Sequence, residues 1–173
     1  SLFCVSSVLE GDASPDISGL IGQYAHGNEP SHHILYLYTM AGQPWKSADK
    51  VREVLKTLYS AETDGLSGNE DVGQMSAWYI LSALGFYQVE PGSDRYWFGS
   101  PLFHKASVKV GTDTEGRDIT FDIIAENNSE NNIYIQSILL NGKPYGKGYL
   151  EHKDIVSGGT LTLKMGPEPA KWY

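Results

Sequence analysis

The sequence is poor in the residues that several classes of protein require. It has one cysteine, Cys4, among 173 residues, which excludes an intrachain disulfide framework and a thiolate zinc site. Thirteen basic residues stand against 21 acidic ones, for a formal net charge of -8, and this balance argues against a nucleic-acid partner or an anionic membrane surface. No apolar run approaches the roughly 18 residues of a membrane span. We therefore expect an acidic globular protein without a membrane span.

The first half of the chain has helical periodicity. Residues 44–60 repeat apolar side chains at three- and four-residue steps, which predicts an amphipathic helix with one solvated face. Residues 30–42 and about 71–85 are apolar nearly all round, which predicts two buried helices, the second ending at a left-handed glycine cap, Gly85. The order buried, half-exposed, buried is typical of nested inner and outer helices.

The second half alternates in the manner of strands, so the fold class expected is α+β by segment. Strand-like runs occupy residues 108–110, 119–124, 133–140 and 160–165. Asn141-Gly142 predicts a tight hairpin, and residues 127–132 form a polar run expected at a loop tip. Four or five antiparallel strands with one apolar face would make about half of a sandwich.

The densest polar cluster, residues 64–74, lies just before a predicted buried helix. Its carboxylates and three glycines precede the helix start, where unpaired amides favour the ionised form of a carboxylate. Asp71 is therefore expected to stay charged, as a general base or a metal ligand requires. The alternative is that Asp71 or Asn69 simply caps the helix.

A second cluster, residues 24–33, holds three of the five histidines and also precedes a predicted buried helix. Zinc is one interpretation, but no His-Glu-x-x-His spacing is present. Polar residues satisfied at a helix start are the other. Because both clusters precede helices of the same class, their loops are expected to open at the same end of the scaffold, as convergent site loops do.

Several long motifs resemble one family. Residues 68–79 (GNEDVGQMSAWY), followed by 83–87 (ALGFY), resemble the signature of glycoside hydrolase family 92, whose members are calcium-dependent exo-acting α-mannosidases, mostly bacterial. Residues 22–33 (GQYAHGNEPSHH) resemble a second motif, and residues 42–45 and 99–103 fit two more. The likeness continues to the end of the chain.

The resemblance implies a place in a larger fold. Such enzymes have an amino-terminal β-sandwich followed by an (α/α)6 barrel, and this chain is similar to their carboxy-terminal part. Residues 1–98 would be the last helices of the catalytic barrel, and residues 99–173 the strands that pack beside the sandwich. The partners implied are a mannose-containing oligosaccharide and the remaining catalytic and sandwich domains. The location implied is bacterial: periplasmic, cell-surface or secreted.

The resemblance also implies chemistry: hydrolysis with inversion, removing terminal mannose from α-mannosides such as N-glycans, with α-1,2 the linkage expected. By similarity Asp71 is the general base, and Asn69, which stands where some relatives have an acid, would orient the water. Glu29, His26, Asn28 and Gln74 would bind the mannose. The family's Ca²⁺ assists sugar binding, and a hard cation takes oxygen ligands. Its expected donors here are Asn28, Glu29, Asn69 and Glu70.

The family's general acid is a glutamate upstream of these motifs. Nothing before Ser18 resembles its surroundings, and Glu10 lacks the right context. The acid is therefore expected outside this chain, and the chain alone is expected to be inactive. The alternative function is a non-catalytic carbohydrate-binding or structural fragment of the same fold.

Overall fold

A computed structural model describes residues 2–6 and 17–173 of the chain; Glu10 lies outside the described residues. The helices are α1 Leu37–Met40, α2 Pro44–Thr57, α3 Gln74–Leu84 and α4 His152–Val156. The strands are β1 Leu20–Ile21, β2 Tyr24–Ala25, β3 Phe86–Tyr87, β4 Arg95–Phe98, β5 Lys105–Thr112, β6 Asp118–Glu126, β7 Tyr134–Leu140, β8 Lys143–Pro144, β9 Tyr149–Glu151 and β10 Gly159–Gly166. Helices followed by strands is the order predicted. Within the described ranges, each helix is too short or too polar to cross a bilayer.

Helix α2 confirms the amphipathic prediction. Pro44 occupies its first turn, where a missing N–H costs nothing. Val51 and Val54 are fully buried, while Lys50 and Glu53 form an ion pair on the outer side. Burial of the apolar stripe therefore stabilises this helix, as its periodicity predicted.

The single helix predicted over residues 30–42 is wrong. Two 3-10 turns, Glu29–Ser31 and Ile34–Tyr36, precede the short α1. The Ser47 hydroxyl donates to the Leu35 carbonyl at 2.7 Å and accepts from the Thr39 N–H at 2.9 Å. These are the two groups that an α-helix would join to each other, and an inserted side chain breaks the helical ladder at that point.

The larger sheet is mixed, which corrects the expectation of antiparallel strands alone. Its order is β5-β6-β10-β7-β8, and β10 is antiparallel to β7 but parallel to β6. The parallel pair arises because the chain leaves this sheet after β8, forms β9 and α4, and returns to insert β10 between β6 and β7. The predicted hairpin joins β7 to β8, with φ of 51° at Asn141 and 75° at Gly142.

A second sheet, β3-β4-β9, was not predicted. Its Phe86, Phe98 and Leu150 share one core with Phe121 and Leu161 of the larger sheet. The two sheets therefore pack face to face through apolar side chains. Trp97, on the same strand as Phe98, instead joins a separate core formed with the helices.

Three residues that we call the Asn128 cluster, Arg52, Ser100 and Asn128, join the helices to the strands. Arg52 donates from Nε to Ser100 Oγ at 2.9 Å and from NH2 to Asn128 Oδ1. The Asn128 amide donates to the carbonyls of residues 101, 102 and 103 at 3.1–3.2 Å. Asn128, predicted at an exposed loop tip, is 3% exposed, so its polar run includes a buried structural residue.

Candidate active site

The two predicted site loops lie against each other. Ser18 Oγ donates to the Ser67 carbonyl at 2.8 Å, and the Gly27 N–H donates to the Ser18 carbonyl at 3.1 Å. A Cβ on Gly27 would collide with Ser67, and Gly68 has φ of 128° with its α-carbon facing the Gly27 carbonyl. Only glycine permits this approach of two backbones. The two loops therefore lie together, while their opening at one end of a larger scaffold stays a prediction.

The contact between the loops brings two carboxyl groups together, Glu29 and Asp71. A hydrogen bond with Glu29, with smaller contributions from desolvation and from the charges of Glu29 and Glu70, raises the pKa of Asp71. Glu29 Oε1 is buried, and no group within residues 2–6 and 17–173 donates a hydrogen bond to it. Because a carboxylate only accepts hydrogen bonds, two ionised groups would repel each other here, and a shared proton or a cation would relieve that repulsion.

The backbone at Asp71 differs from the predicted helix start. Asp71 and Val72 have φ of 48° and 59°, and α3 begins only after Gly73, without a side-chain cap. Glu70 supplies the carboxylate near the helix start instead, accepting from the Ser76 N–H at 3.0 Å and the Ser76 hydroxyl at 2.7 Å. Helix amides therefore do not lower the pKa of Asp71 as expected; a hydrogen bond with Glu29 raises it instead. Neither Asp71 nor Asn69 caps α3.

The predicted metal donors differ in their exposure and in whether their oxygens already accept hydrogen bonds. Asn69 is exposed and Asn28 half-buried, while both oxygens of Glu70 already accept hydrogen bonds. Across the described part of the chain, no three His, Cys, Asp or Glu side chains gather into a metal site. The buried, donorless Glu29 Oε1 beside Asp71 fits a hard cation, whose further oxygens would come from amides, backbone carbonyls, water or a ligand.

His26 lies in the core rather than at the surface. It is fully buried, with Nδ1 2.8 Å from the Tyr24 hydroxyl and Nε2 2.7 Å from the Tyr59 hydroxyl. Burial lowers the pKa of His26 to about 3, with a smaller effect of His32, so the ring is neutral. Both ring nitrogens are thus engaged by tyrosine hydroxyls, which leaves neither available to bind a sugar.

A second buried histidine, His32, binds Gln74. His32 Nε2 is 2.9 Å from the His26 carbonyl, and His32 Nδ1 is 3.0 Å from Gln74 Nε2. The same Gln74 nitrogen donates to the Tyr87 hydroxyl at 3.0 Å. Sequence reasoning named Gln74 but missed His32 and Tyr87, since only the histidine-rich motif hinted at the first and nothing local marked the second.

The chain was compared with known proteins. The sequence profile described as the glycosyl hydrolase family 92 catalytic domain matches residues 2–167. A protein of Arthroderma benhamiae described as an uncharacterized secreted glycosidase is 34% identical over 149 residues, which are 84% of this chain and 19% of that protein.

Solved structures give the same result. A family GH92 α-mannosidase of Bacteroides thetaiotaomicron, in complex with mannoimidazole, superposes with a TM-score of 0.88 at 39% identity, covering 98% of this chain and 22% of that one. An inverting GH92 mannosidase of the same bacterium has a TM-score of 0.74 at 42% identity, covering 88% and 21%. The chain thus spans about a fifth of the length of these relatives.

Proposed function

Because the chain belongs to glycosyl hydrolase family 92, we propose that it is the carboxy-terminal part of an inverting, calcium-dependent exo-α-mannosidase. In this proposal residues 1–98 complete an (α/α)6 barrel and residues 99–173 form strands beside a β-sandwich. Leu37 and Ile80, on helices expected to be buried, are 42% and 58% exposed, which supports further helices covering them. The partners are then the rest of the catalytic domain and the sandwich domain.

Asp71 is proposed as the general base. It would take a proton from the water that attacks the anomeric carbon, while a carboxylic acid supplied by the part of the protein that the longer relatives add protonates the leaving oxygen. A base works best when its pKa approaches the operating pH. The contact between the Asp71 and Glu29 carboxyl groups, which also raises the pKa of Asp71, is the observation that supports this assignment.

Glu29, Asn28 and Gln74 are proposed to bind the terminal mannose, and exposed Asn69 to orient the water. Ca²⁺ would be held by Glu29 with Asn28 and Asn69, Glu70 being less suited because Ser76 engages it. Bound there, the cation supplies positive charge for sugar hydroxyls. The buried Glu29 Oε1 without a donor supports this site. The linkage proposed is α-1,2 and the location secreted, periplasmic or cell-surface in a bacterium.

The test is mannose release from α-1,2-mannobiose by the complete protein. Asp71→Asn removes the base without changing the shape of the side chain, so kcat should fall about 10²–10⁴-fold while KM changes little. Asp64→Asn, an exposed aspartate of the same loop, is the matched control and should keep full activity. EDTA should abolish release and added Ca²⁺ restore it.

Two results would contradict the proposal. Normal turnover of Asp71→Asn would remove Asp71 from the mechanism, and indifference to EDTA would remove calcium. If the unaltered protein releases no mannose but still binds the disaccharide, the chain belongs to a carbohydrate-binding relative of the same fold.

A further inference from the structure

The side-chain amide of Gln74 is held in one orientation by a buried neighbour. His32 is 1% exposed, its ring is stacked on that of His26 at 4.7 Å, and its carbonyl accepts from Trp78 Nε1 at 3.1 Å. The ring also lies 5.9 Å from that of Trp78 and both its nitrogens have partners, so it cannot rotate without breaking these contacts. The hydrogen bonds of its two nitrogens are therefore set by the fold.

The hydrogen-bond partners of the His32 ring determine which of its nitrogens carries hydrogen. A backbone carbonyl only accepts, so His32 Nε2, 2.9 Å from the His26 carbonyl, carries hydrogen. His32 is almost fully buried, and this burial lowers its pKa, which favours a neutral ring with the lone pair on Nδ1. Gln74, 3.0 Å from Nδ1, must present its N–H there.

The second amide hydrogen of Gln74 goes to the Tyr87 hydroxyl at 3.0 Å. Both donors of the amide thus face the interior, and no donor among residues 2–6 and 17–173 reaches its oxygen. Gln74 is half-buried at the first position of α3, three residues after Asp71. Its carbonyl is the part of the amide left to meet a ligand.

We propose that His32 is a positioning residue, which holds Gln74 with its amide nitrogen toward the core and its carbonyl oxygen toward a bound sugar hydroxyl. The hydroxyl donates to Oε1. Because the Gln74 side chain is already restricted to one rotamer, sugar binding loses less conformational entropy. The role in sugar binding rests on the proposed function, whereas the orientation of the amide does not.

The orientation is tested first, by nitrogen-15 NMR of the complete protein labelled at histidine. For His32 the expected spectrum has a protonated Nε2 and an unprotonated Nδ1. The opposite tautomer would require Gln74 to present its oxygen to His32, and it would overturn the inference. This measurement needs no mannosidase activity, so it decides the orientation even if the proposed function fails.

The role is tested with a double-mutant cycle on hydrolysis of the α-mannoside. His32→Leu removes the acceptor and should raise KM about tenfold with kcat largely kept, as expected when one hydrogen bond to substrate is lost. In a Gln74→Ala background the same change should add less than about twofold, since the two residues act as one unit. A full additional loss in that background would mean that His32 acts only as a packing residue.

His32→Asn is the matched variant, because its side-chain oxygen offers an acceptor to Gln74 in place of Nδ1. It should recover most of the affinity lost in His32→Leu, and failure to do so would overturn the positioning role. If His32→Leu does not fold, the NMR tautomer and the KM of His32→Asn decide the matter.

Discussion

The Asn128 cluster and the Glu29–Asp71 pair are both polar groups at junctions between distant segments, yet they are built in opposite ways. Asn128 is buried, and both its amide nitrogen and its oxygen are bonded. Glu29 has a buried oxygen without a donor, and Asp71 has a left-handed backbone and a raised pKa. Polar groups that serve only the fold are normally satisfied.

Strain and unmet hydrogen bonds are tolerated where they have a use. The Asn128 cluster is bonded without a ligand, because neutral oxygens of Ser100 and Asn128 each accept a hydrogen bond from Arg52. The carboxyl pair is complete only with a proton, a cation or a substrate. We therefore expect stability to depend most on the Asn128 cluster, and ligand binding to depend most on the carboxyl pair.

The largest effect on stability is expected at Asn128. Asn128→Ala would leave the carbonyls of residues 101–103 and the Arg52 guanidinium without their partner in a buried place. Such a loss should lower the free energy of unfolding by about 3 kcal/mol, measured by urea denaturation.

Asn131→Ala is the control, because Asn131 is exposed in the same loop and its change should stay within about 0.5 kcal/mol. Equal, small effects of the two substitutions would show that the Asn128 cluster is not what joins the helices to the strands.

The features that the sequence predicted well depend on neighbours along the chain. Helix α2, the Gly85 cap and the Asn141-Gly142 hairpin each follow from local periodicity or backbone preference. The small sheet was missed because Arg95 pairs with Glu151, far along the chain, through strands too short to show alternation. Ser47 interrupts the helix over residues 30–42 through a contact equally invisible in sequence.

The site follows the same division. Motif resemblance named Asp71 and Glu29, and the glycines allowed their loops to approach. The direction of the Asp71 pKa was mispredicted, because it depends on a carboxyl group that arrives from another loop. Asn128 was assigned to a loop tip because burial of a polar residue depends on partners that sequence alone does not reveal.

The next effect concerns pH and the two buried histidines, His26 and His32. His26 has a pKa of about 3 in the folded protein against an ordinary 6.5, and burial lowers that of His32 as well. Below about pH 6.5 the unfolded chain binds protons on these histidines, whereas the folded protein keeps the rings neutral. The stability that comes from the neutral rings is therefore complete above about pH 6.5 and is lost as the pH falls toward 3.

His26 should therefore cost up to about 1.4 kcal/mol of stability per pH unit below 6.5, or about 2 kcal/mol at pH 5. His26→Phe removes one of the two groups. Its unfolding free energy, followed by urea denaturation from pH 7 to pH 4, should fall less steeply than that of the unaltered protein. Parallel slopes would contradict the neutral, buried state of His26.

The smallest effect on stability is expected at Val72, beside Asp71. A β-branched residue at φ of 59° is strained, and the Val72 side chain, 109% exposed, gains nothing from burial. Asparagine adopts the left-handed conformation more readily, so Val72→Asn should raise the free energy of unfolding by about 1 kcal/mol.

Val156→Asn, at an exposed valine that ends α4, has no such strain to relieve and should bring no gain. If the two variants behave alike, the strain of the site loop does not reside in Val72, and the contrast with the Asn128 cluster rests on Asp71 and on the unmet hydrogen bonding of Glu29.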